Sequence, residues 1–548
     1  MNPNLRQFDL AQELISIAIS LSSERDTDKL LEIILNGAKS ITNADGGTLY
    51  LYNDAEKSLE FAIMKNDTLG IAKGGTRQEK INLAPIPLVE KNGNQNIHNI
   101  ATFAANTGQS VNIPDAYQAE GFDFSGMRAY DQNMGYRSTS FLAIPMTTPH
   151  GELIGVVQLI NARDDAGNTI SFSPEDQRLT EALSAQAAIV LTNNNLSLAL
   201  KDLLEKFIEL IATAIDEKSP YTGGHCRRVP DIAMMLAEAV HQTGFGPHAK
   251  TRFSEQQFYE LKIAALLHDC GKITTPVHVI DKATKLETIY DRLHTVNTRF
   301  EVLKRDREIE HLKNTFASNG DTAAIAQLDQ QYQTQLKQLD DDQCFLASCN
   351  TGSEFMNEEY QTRIRRIAAY RWQENGVERP FLDDDEVKNL CIQKGTLTQE
   401  ERVVINNHVV LSQRMLNSLP FPRHLKNVPE IAGNHHERMD GKGYPNGLTR
   451  EQMSVQARIM GIADIFEALT ATDRPYKKPM PLSQALTILG KMAEEQHIDH
   501  ELFQVFVNEQ VYLKYAEIIL SKEQIDTVDV ANLPGMQLDH LARKNGTK

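Results

Sequence analysis

The longest helical pattern of the chain runs from Pro174 to Asp216, and it constrains how everything else can fold. Apolar residues recur along it at steps of three and four, and no proline follows Pro174. Ser173 is a good N-cap residue, and the acids Glu175 and Asp176 suit a first helical turn. We therefore predict one long connecting helix, over residues 174–216, between two separate domains.

A helix of this length needs a partner that covers its apolar stripe. A parallel coiled coil with a second copy of the chain would provide one, and packing against the chain's own domains is the alternative. The coiled coil is the preferred interpretation, so we expect a homodimer. The stripe in the second half of the helix contains Leu196, Leu200, Leu203, Leu204, Phe207 and Ile211.

The composition excludes several classes of protein. With 548 residues and 41% hydrophobic content, the chain can form two to four domains with cores. Its five cysteines show no C-x-x-C spacing, which argues against a disulfide framework and a zinc ribbon. No apolar run approaches the length of a membrane span, and a formal charge of -17 opposes broad binding to nucleic acid or anionic membranes. We expect a cytoplasmic protein without membrane or nucleic-acid partners.

Residues 1–195 alternate between helical and strand patterns. Two helical stripes occupy residues 4–43, and the second begins near Thr27. Alternating apolar residues then predict four strands in two pairs, at 47–52, 59–64, 139–146 and 153–161. The expected fold of this part is α+β, with an antiparallel sheet flanked by helices.

Adjacent imidazoles at His435 and His436 lead into a glycine-rich segment that ends at Pro445. Neutral imidazole is the commonest protein ligand for transition metals, and a flexible loop beside it suits a cation that must meet an anionic substrate. A polar surface turn is the alternative interpretation. Two other segments favour the metal site.

His268 and Asp269 close a helical stripe that begins with a capping box at Ser254. The imidazole could bind one metal ion while the neighbouring carboxylate bridges two. Asp464 lies in an apolar helical stripe capped by Ser454, where a carboxylate needs a partner because an unpaired buried charge is costly. A metal ion would be such a partner.

Residues 268–272 (His-Asp-Cys-Gly-Lys) and 443–445 (Gly-Tyr-Pro) resemble the two signatures of the HD-GYP metal-dependent phosphohydrolases. Further similar segments follow the order of that family across most of residues 205–500. The resemblance implies an all-α HD-GYP domain over residues 205–520, with residues 521–548 as a C-terminal tail. It also implies hydrolysis of cyclic di-GMP to linear pGpG, and it leaves open whether a second cut to GMP follows.

The same resemblance implies the roles of the site residues. Two divalent metal ions, iron or manganese, would share seven side chains, and Asp269 would bridge them. Asp269 and Lys272 would be the catalytic residues, the lysine by stabilising charge on the phosphate. The implied metal ligands are His225, His268, Asp269, His408, His435, His436 and Asp464. The implied substrate contacts are Lys272, Gly443, Tyr444, Pro445, Arg474 and Lys477.

Residues 103–161 are similar to GAF domains, most closely to those that bind cyclic nucleotides. Asn161, Phe172 and Asp176 match a dispersed signature of that group, whereas Ala162 and Gln177 stand where lysine and glutamate would. The signature is expected to support the fold around the ligand pocket. A cyclic nucleotide is therefore the candidate ligand, and a GAF fold used only for dimerisation is the alternative.

The segment over residues 283–395 is longer than the corresponding connection in compact HD-GYP proteins. The stretch 291–338 is charged and helical, and Ser-Asn-Gly-Asp at 318–321 predicts a turn, so we expect an inserted helical hairpin. A charged pair of helices is typical of a solvated strut or of a surface for a protein partner, such as a GGDEF-type or other signalling protein. We assign the insertion no chemistry.

Three functions are compatible with these patterns. The first is a cyclic di-GMP phosphodiesterase regulated by its GAF domain through the helix over residues 174–216. The second is a non-catalytic receptor for a cyclic dinucleotide, and the third is a hydrolase of another cyclic dinucleotide. The complete set of ligands favours an enzyme, because a degenerate receptor would usually have lost one of them.

Overall fold

The computed structural model of the chain describes residues 3–77, 79–218, 224–352, 355–472 and 479–536. The chain divides into two compact units, residues 1–204 and residues 205–548. None of the described helices combines the length and the apolar character that crossing a bilayer requires.

The first unit is an α+β fold around one antiparallel sheet. Its helices are α1 (Pro3–Ser23), α2 (Thr27–Thr42), α3 (Ile100–Thr107), α4 (Ser125–Met134) and the start of α5 (Pro174–Asp216). Its strands are β1 (Ala44–Asn53), β2 (Ser58–Asn66), β3 (Ile71–Gly74), β4 (Ile86–Pro87), β5 (Val111–Ile113), β6 (Phe141–Thr147), β7 (Leu153–Arg163) and β8 (Thr169–Ile170). The sheet order is β3-β2-β1-β7-β6-β5, with β4 beside β2 and β8 beside β7.

The four strands predicted from alternation are β1, β2, β6 and β7, and they form the centre of the sheet. Leu49 of β1 lies opposite Val157 of β7, and both side chains are buried in a core that includes α2. Tyr50 and Val156 are buried on the opposite face in a second core that includes α3. The remaining strands have two to four residues, too few to show an alternating pattern.

The described part of the second unit is helical apart from one small hairpin. Its helices are α6 (His225–Gln242), α7 (Glu255–Leu267), α8 (Val277–Ile280), α9 (Leu293–Ala317), α10 (Thr322–Asn350), α11 (Glu358–Ala368), α12 (Asp384–Leu390), α13 (Gln399–Asn417), α14 (Val428–Gly433), α15 (Val455–Thr470), α16 (Leu482–Glu494), α17 (His500–Asn508) and α18 (Val511–Ile519). The hairpin pairs β9 (Arg371–Glu374) with β10 (Val377–Pro380). The largest core of this unit contains buried residues of α6, α7 and α14 to α18.

The predicted helical hairpin of the insertion is confirmed as α9 and α10, with the reversal at residues 318–321. The interpretation as a charged strut was wrong in its extent, because the insertion has a hydrophobic core of its own. Phe300, Leu346, Ile364 and Phe381 are fully buried in it. Helices α11 and α12 therefore complete a small subdomain, whose core residues lie too far apart in sequence for a periodic pattern to reveal it.

Candidate metal centre

All seven predicted ligand side chains come together in the second unit. They lie at the start of α6, at the end of α7, in α13, directly after α14 and in the middle of α15. Five separate segments thus meet at one place, which we call the seven-residue cluster. Its members are His225, His268, Asp269, His408, His435, His436 and Asp464.

The turn that carries Asp269 differs from the continuous helical stripe that the sequence predicts. Helix α7 ends at Leu267, and a 3-10 turn over residues 270–274 follows. The N–H of Gly271 donates to Ser412 Oγ at 2.8 Å, and a Cβ on Gly271 would lie 2.0 Å from the carbonyl oxygen of His408. Glycine at this position therefore allows the turn to approach the backbone of α13 closely.

Asp269 lies between two groups of imidazoles. Its Oδ2 is 3.2 Å from His225 Nε2 and 3.3 Å from His268 Nε2, and its Oδ1 is 3.1 Å from His408 Nε2. Each carboxylate oxygen therefore faces a different group. This is the arrangement in which one carboxylate can contact two cations.

The ligand atoms form overlapping groups, each with all atoms within 4.8 Å of one another. One group contains His225, His268 and Asp464, and another contains His408, His435 and His436. A third group, His268, Asp269 and His435, joins the first two. The rings of His435 and His436 are 4.2 Å apart between centroids.

Three of the imidazoles are oriented by backbone carbonyls. In each, Nδ1 hydrogen bonds to the carbonyl oxygen three residues earlier, so Nε2 is the ring atom that faces the cluster. The three Nε2 atoms are buried and have no hydrogen-bond partner, and the same is true of Asp269 Oδ1. Buried polar atoms without partners cost free energy, and a bound cation would remove that cost. The bonds are His268 to Ala265 (2.8 Å), His408 to Ile405 (2.5 Å) and His435 to Ala432 (2.6 Å).

Glu467 orients the fourth imidazole, and the sequence did not single it out. Its Oε2 is 2.5 Å from His225 Nδ1, and its Oε1 accepts from Arg228 Nε at 2.7 Å. Burial alone would lower the pKa of His225, but the carboxylates of Asp269, Asp464 and Glu467 raise it well above its ordinary value. Positive charge is thus favoured at this place. The available signal was spacing, because Glu467 lies one helical turn after Asp464.

The protonation of three of the other ligands favours metal binding. Burial lowers the pKa of His435 well below its ordinary value and lowers the pKa of His436 to about 4. Burial alone would raise the pKa of Asp269, but Lys272 and His268 hold it well below its ordinary value. Neutral imidazoles and ionised carboxylates are the forms that bind cations. The nitrogen and oxygen donors, without thiolate, fit iron or manganese better than a structural zinc.

The segment that contains Gly443, Tyr444 and Pro445 begins beside the cluster. The Tyr444 ring stacks on His436, with centroids 4.9 Å apart and planes inclined by 30°. A Cβ on Gly443 would lie 2.4 Å from the backbone nitrogen of Arg438, so no larger residue fits without displacing the backbone.

Further contacts involve the predicted substrate residues and the loop that carries them. The carboxylate of Glu437, which is buried, accepts from the N–H groups of Asn446 at 2.6 Å and Leu448 at 2.9 Å, and this fixes the loop. The Nζ of Lys272 lies 2.5 Å from Asp269 Oδ2. Arg474 and Lys477, the other predicted contacts, lie outside the described residues.

The first unit encloses a separate cavity of about 890 Å³, lined in part by Thr48, Tyr50, Phe61, Asn96, Tyr136 and Gln158. Asn161 supports its wall, because its Nδ2 donates to the Tyr136 hydroxyl at 2.9 Å and its Oδ1 accepts from Thr139 N at 2.7 Å. Asn161 itself is buried outside the lining. The expected role of this signature residue, to support the fold around the pocket, is confirmed.

Comparison with known protein families gives three matches. The model described as "GAF domain" matches residues 26–191, and two models described as "HD domain" match residues 222–340 and 384–502. The chain therefore contains a GAF domain followed by an HD domain region.

Curated relatives are similar over shorter stretches. The 3'3'-cGAMP-specific phosphodiesterase 3 of Vibrio cholerae is 40% identical over 121 residues, which are 21% of this chain and 25% of that protein. The cyclic di-GMP phosphodiesterase of Thermotoga maritima is 38% identical over 114 residues, 20% of this chain and 30% of that protein. The chain thus spans no more than 30% of the length of either relative.

Two solved structures are similar over about a third of this chain. The GAF domain/HD domain protein from Geobacter sulfurreducens shares 16% identity at a TM-score of 0.23, covering 32% of this chain and 98% of that one. The GAF domain of the Acinetobacter phosphoenolpyruvate-protein phosphotransferase shares 16% identity at a TM-score of 0.26, covering 34% and 96%.

Proposed function

We propose that this chain, a GAF domain followed by an HD domain region, is a metal-dependent phosphodiesterase that hydrolyses cyclic di-GMP to linear pGpG. The observation that carries the proposal is the seven-residue cluster, in which the Nε2 atoms of three imidazoles and Asp269 Oδ1 are buried without hydrogen-bond partners. Relatives of about a fifth of the chain are described as phosphodiesterases of cyclic di-GMP and of 3'3'-cGAMP, which supports the substrate class.

The cluster divides the ligands between two ions. His225, His268 and Asp464 would hold one ion, the group around His408 would hold the second, and Asp269 would contact both. Such a pair of divalent ions, when bound, lowers the pKa of water and offsets negative charge on phosphoryl oxygens. The chain's own contribution is to keep the imidazoles oriented through their Nδ1 atoms and to bury six of the seven ligand side chains.

Lys272 adds a fixed positive charge next to the place where the phosphate would bind. Burial alone would lower its pKa, but Asp269 and Asp464 raise it, so the ammonium stays charged. A preorganised cation in a largely buried site stabilises charge that develops on the phosphate. Arg474 and Lys477 complete this proposal as further phosphate contacts.

The loop over residues 443–445 would contact the guanine side of the substrate. The Tyr444 ring is oriented by stacking on His436, and the N–H of Tyr444 donates to the carbonyl oxygen of His436 at 3.2 Å. An aromatic ring in a fixed orientation is a surface on which a nucleobase can stack. We therefore assign base recognition to this loop and phosphate chemistry to the cluster.

A second substrate, 3'3'-cGAMP, is favoured by three relatives of Vibrio cholerae that are described as specific for it, at 40%, 39% and 42% identity. This substrate differs from cyclic di-GMP in one base and not in its phosphates. The seven-residue cluster would treat both alike, so the choice falls to the base-recognition loop.

The experiment is an assay of the anaerobically purified, manganese- or iron-loaded chain with cyclic di-GMP, 3'3'-cGAMP and cyclic di-AMP. We expect linear pGpG from cyclic di-GMP, separated by chromatography, and no product with Asp269→Ala. Faster turnover of 3'3'-cGAMP would select the second substrate. Binding of cyclic di-GMP without any product would instead support the non-catalytic receptor.

The GAF domain is the proposed regulatory input. Its cavity of about 890 Å³ is large enough for a nucleotide-sized ligand, and a cyclic nucleotide is our candidate. Helix α5, which begins in this unit at Pro174, would transmit the effect within a homodimer. To test this, the chain is titrated with cyclic AMP and cyclic GMP, and binding is measured by calorimetry. Turnover with each nucleotide and the mass of the chain in solution are measured as well. A monomer whose turnover neither nucleotide changes would contradict it.

A further inference from the structure

Lys218, two residues after the end of α5, contacts the turn that follows Asp269. Its Nζ donates to the carbonyl oxygens of Lys272 at 2.9 Å and Thr275 at 2.7 Å, and also to that of Ile273. These carbonyls belong to the last part of the 3-10 turn over residues 270–274 and to the residue after it. One ammonium group thus uses its three donors on three neighbouring carbonyls.

The carbonyl of Lys272 also accepts from the N–H of Thr275 at 3.0 Å, and carbonyls at the end of a helical turn can accept further bonds from an external cation, which holds them together. The turn is connected to the cluster by its own hydrogen bond, because the N–H of Lys272 donates to the carbonyl oxygen of Asp269 at 2.9 Å. The side chains of the same two residues lie 2.5 Å apart. A displacement of the turn would therefore move both side chains.

The neighbouring Asp216 contacts the residue that follows the ligand His225. It is the last residue of α5, it is buried, and its Oδ1 accepts from the N–H of Cys226 at 3.2 Å. Cys226 follows His225 directly at the start of α6. The segment over residues 216–218 is thus bonded to the two elements that carry His225 and Asp269.

We propose that Lys218 is a positioning residue of the candidate metal centre, which holds the turn over residues 270–275 so that Asp269 and Lys272 face the bound ions and the phosphate. Its Nζ is directed at backbone carbonyls, so it takes no part in the chemistry itself. Because Lys218 lies two residues after the end of α5, a shift of the end of α5 would move this turn. The inference rests on the proposed function and adds a route for its regulation.

The test compares Lys218→Met, which keeps the aliphatic stem and removes the donors, with Lys218→Arg, which keeps donors and charge. Lys206→Met is the matched control, because Lys206 lies on α5 with 65% of its side chain exposed and pairs with Glu209 on the surface. Each variant is loaded with manganese in the full chain. Metal affinity is measured by competition with a chelator, without substrate, and kcat and KM are measured with cyclic di-GMP.

For Lys218→Met we expect a kcat about 10- to 100-fold below the parent, a KM within about twofold, and a metal affinity lower by about tenfold, the range seen when outer partners of metal sites are removed. Lys218→Arg should keep most of the parental kcat and metal affinity, and Lys206→Met should equal the parent in both quantities. Lys218→Gln, with circular dichroism, replaces the methionine variant if that one does not fold.

Parental kcat and metal affinity in Lys218→Met would overturn the inference while the proposed function stands. A lower melting temperature alone, with kcat per metal-loaded chain unchanged, would show a merely structural role and would also overturn it. A parent chain that binds no metal and hydrolyses none of the dinucleotides would overturn the proposed function, and this inference with it.

Discussion

Two clusters of histidine and carboxylate side chains lie among the described residues of the second unit, and they differ in the cations that already face their carboxylates. The second cluster contains His248, Asp499 and Glu501, with ligand atoms also within 4.8 Å of one another. Arg450 Nε is 2.9 Å from Asp499 Oδ2, Arg458 contacts the same carboxylate, and Arg450 also contacts Glu501. We call this set the arginine-paired cluster.

The seven-residue cluster has a different charge balance. Lys272 is the one lysine or arginine side chain that pairs with Asp269 or Asp464 among the described residues. Imidazoles supply the other contacts, and three of their Nε2 atoms have no hydrogen-bond partner. A divalent ion is thus favoured here, whereas beside Asp499 it would meet the repulsion of two guanidinium groups.

The comparison teaches that residue types and proximity do not suffice to identify a metal site. Asp499 has another task, since its Oδ1 accepts from the N–H groups of Glu501 at 2.9 Å and Leu502 at 3.1 Å and so caps α17. The arginine-paired cluster therefore stabilises the fold, while the seven-residue cluster is arranged for a bound ion. The following predictions separate the two roles.

The largest expected effect is that of Asp269→Ala, for which hydrolysis should fall by about 1,000-fold or more because the contact to both ions is lost. The matched variant Asp499→Ala should keep its turnover per folded chain and lose about 3 kcal/mol of unfolding free energy, because a buried charge partner is removed. Hydrolysis assays measure the turnover of both variants, and urea unfolding measures their stability. Parental turnover in Asp269→Ala would show that the bridge is assigned wrongly.

Lys272→Met should lower kcat by about 100- to 1,000-fold, less than Asp269→Ala, because it removes a stabilising charge and no metal ligand. Metal content should stay at the parental value. The control is Arg450→Met in the arginine-paired cluster, whose kcat should stay within about twofold of the parent. A Lys272→Met variant without bound metal would mean that the lysine organises the ligands rather than the phosphate.

Glu467→Gln should weaken metal binding by about 10- to 100-fold, since it removes the carboxylate that orients His225. Glu501→Gln, the corresponding change in the arginine-paired cluster, should leave metal binding unchanged. Chelator competition measures both variants. Equal losses in the two variants would remove the distinction between the clusters.

The smallest effect concerns His248, whose pKa is lowered by burial and by Arg458 and Arg450, in opposition to Asp499 and Glu501. Its folded-state pKa lies below the unfolded value of about 6.5, so the unfolded chain binds more protons and stability is lost as pH falls below that value. His248→Gln should therefore show a shallower loss of stability between pH 7 and pH 5. At pH 8, where His248 is neutral in both states, the variant's pH slope should equal that of the parent.

Features that depend on neighbouring residues could be predicted from the sequence. Helix α5 runs from Pro174 to Asp216 as predicted, because its pattern and its start depend on neighbouring residues alone. The caps at Ser254 and Ser454 were predicted for the same reason, and both accept the expected backbone N–H groups. The seven ligands were identified through motif order, and the structure brings them together.

The remaining features depend on contacts between distant segments. The 3-10 turn after Leu267 follows from the bond between Gly271 and Ser412, which are 141 residues apart. The roles of Glu467 and Lys218 depend in the same way on partners that only the folded chain brings near. The core of the insertion was missed because its apolar residues are spread over four helices and a hairpin.

The most direct test of the central claim is a count of bound metal ions. The anaerobically purified chain, its Asp269→Ala variant and its Asp499→Ala variant are saturated with manganese, freed of excess metal and analysed by mass spectrometry of the element. We predict two tightly bound ions per chain for the parent and for folded Asp499→Ala, and at most one for Asp269→Ala. A parent without tightly bound metal, or an Asp269→Ala variant that keeps two ions while Asp499→Ala loses them, would contradict the account.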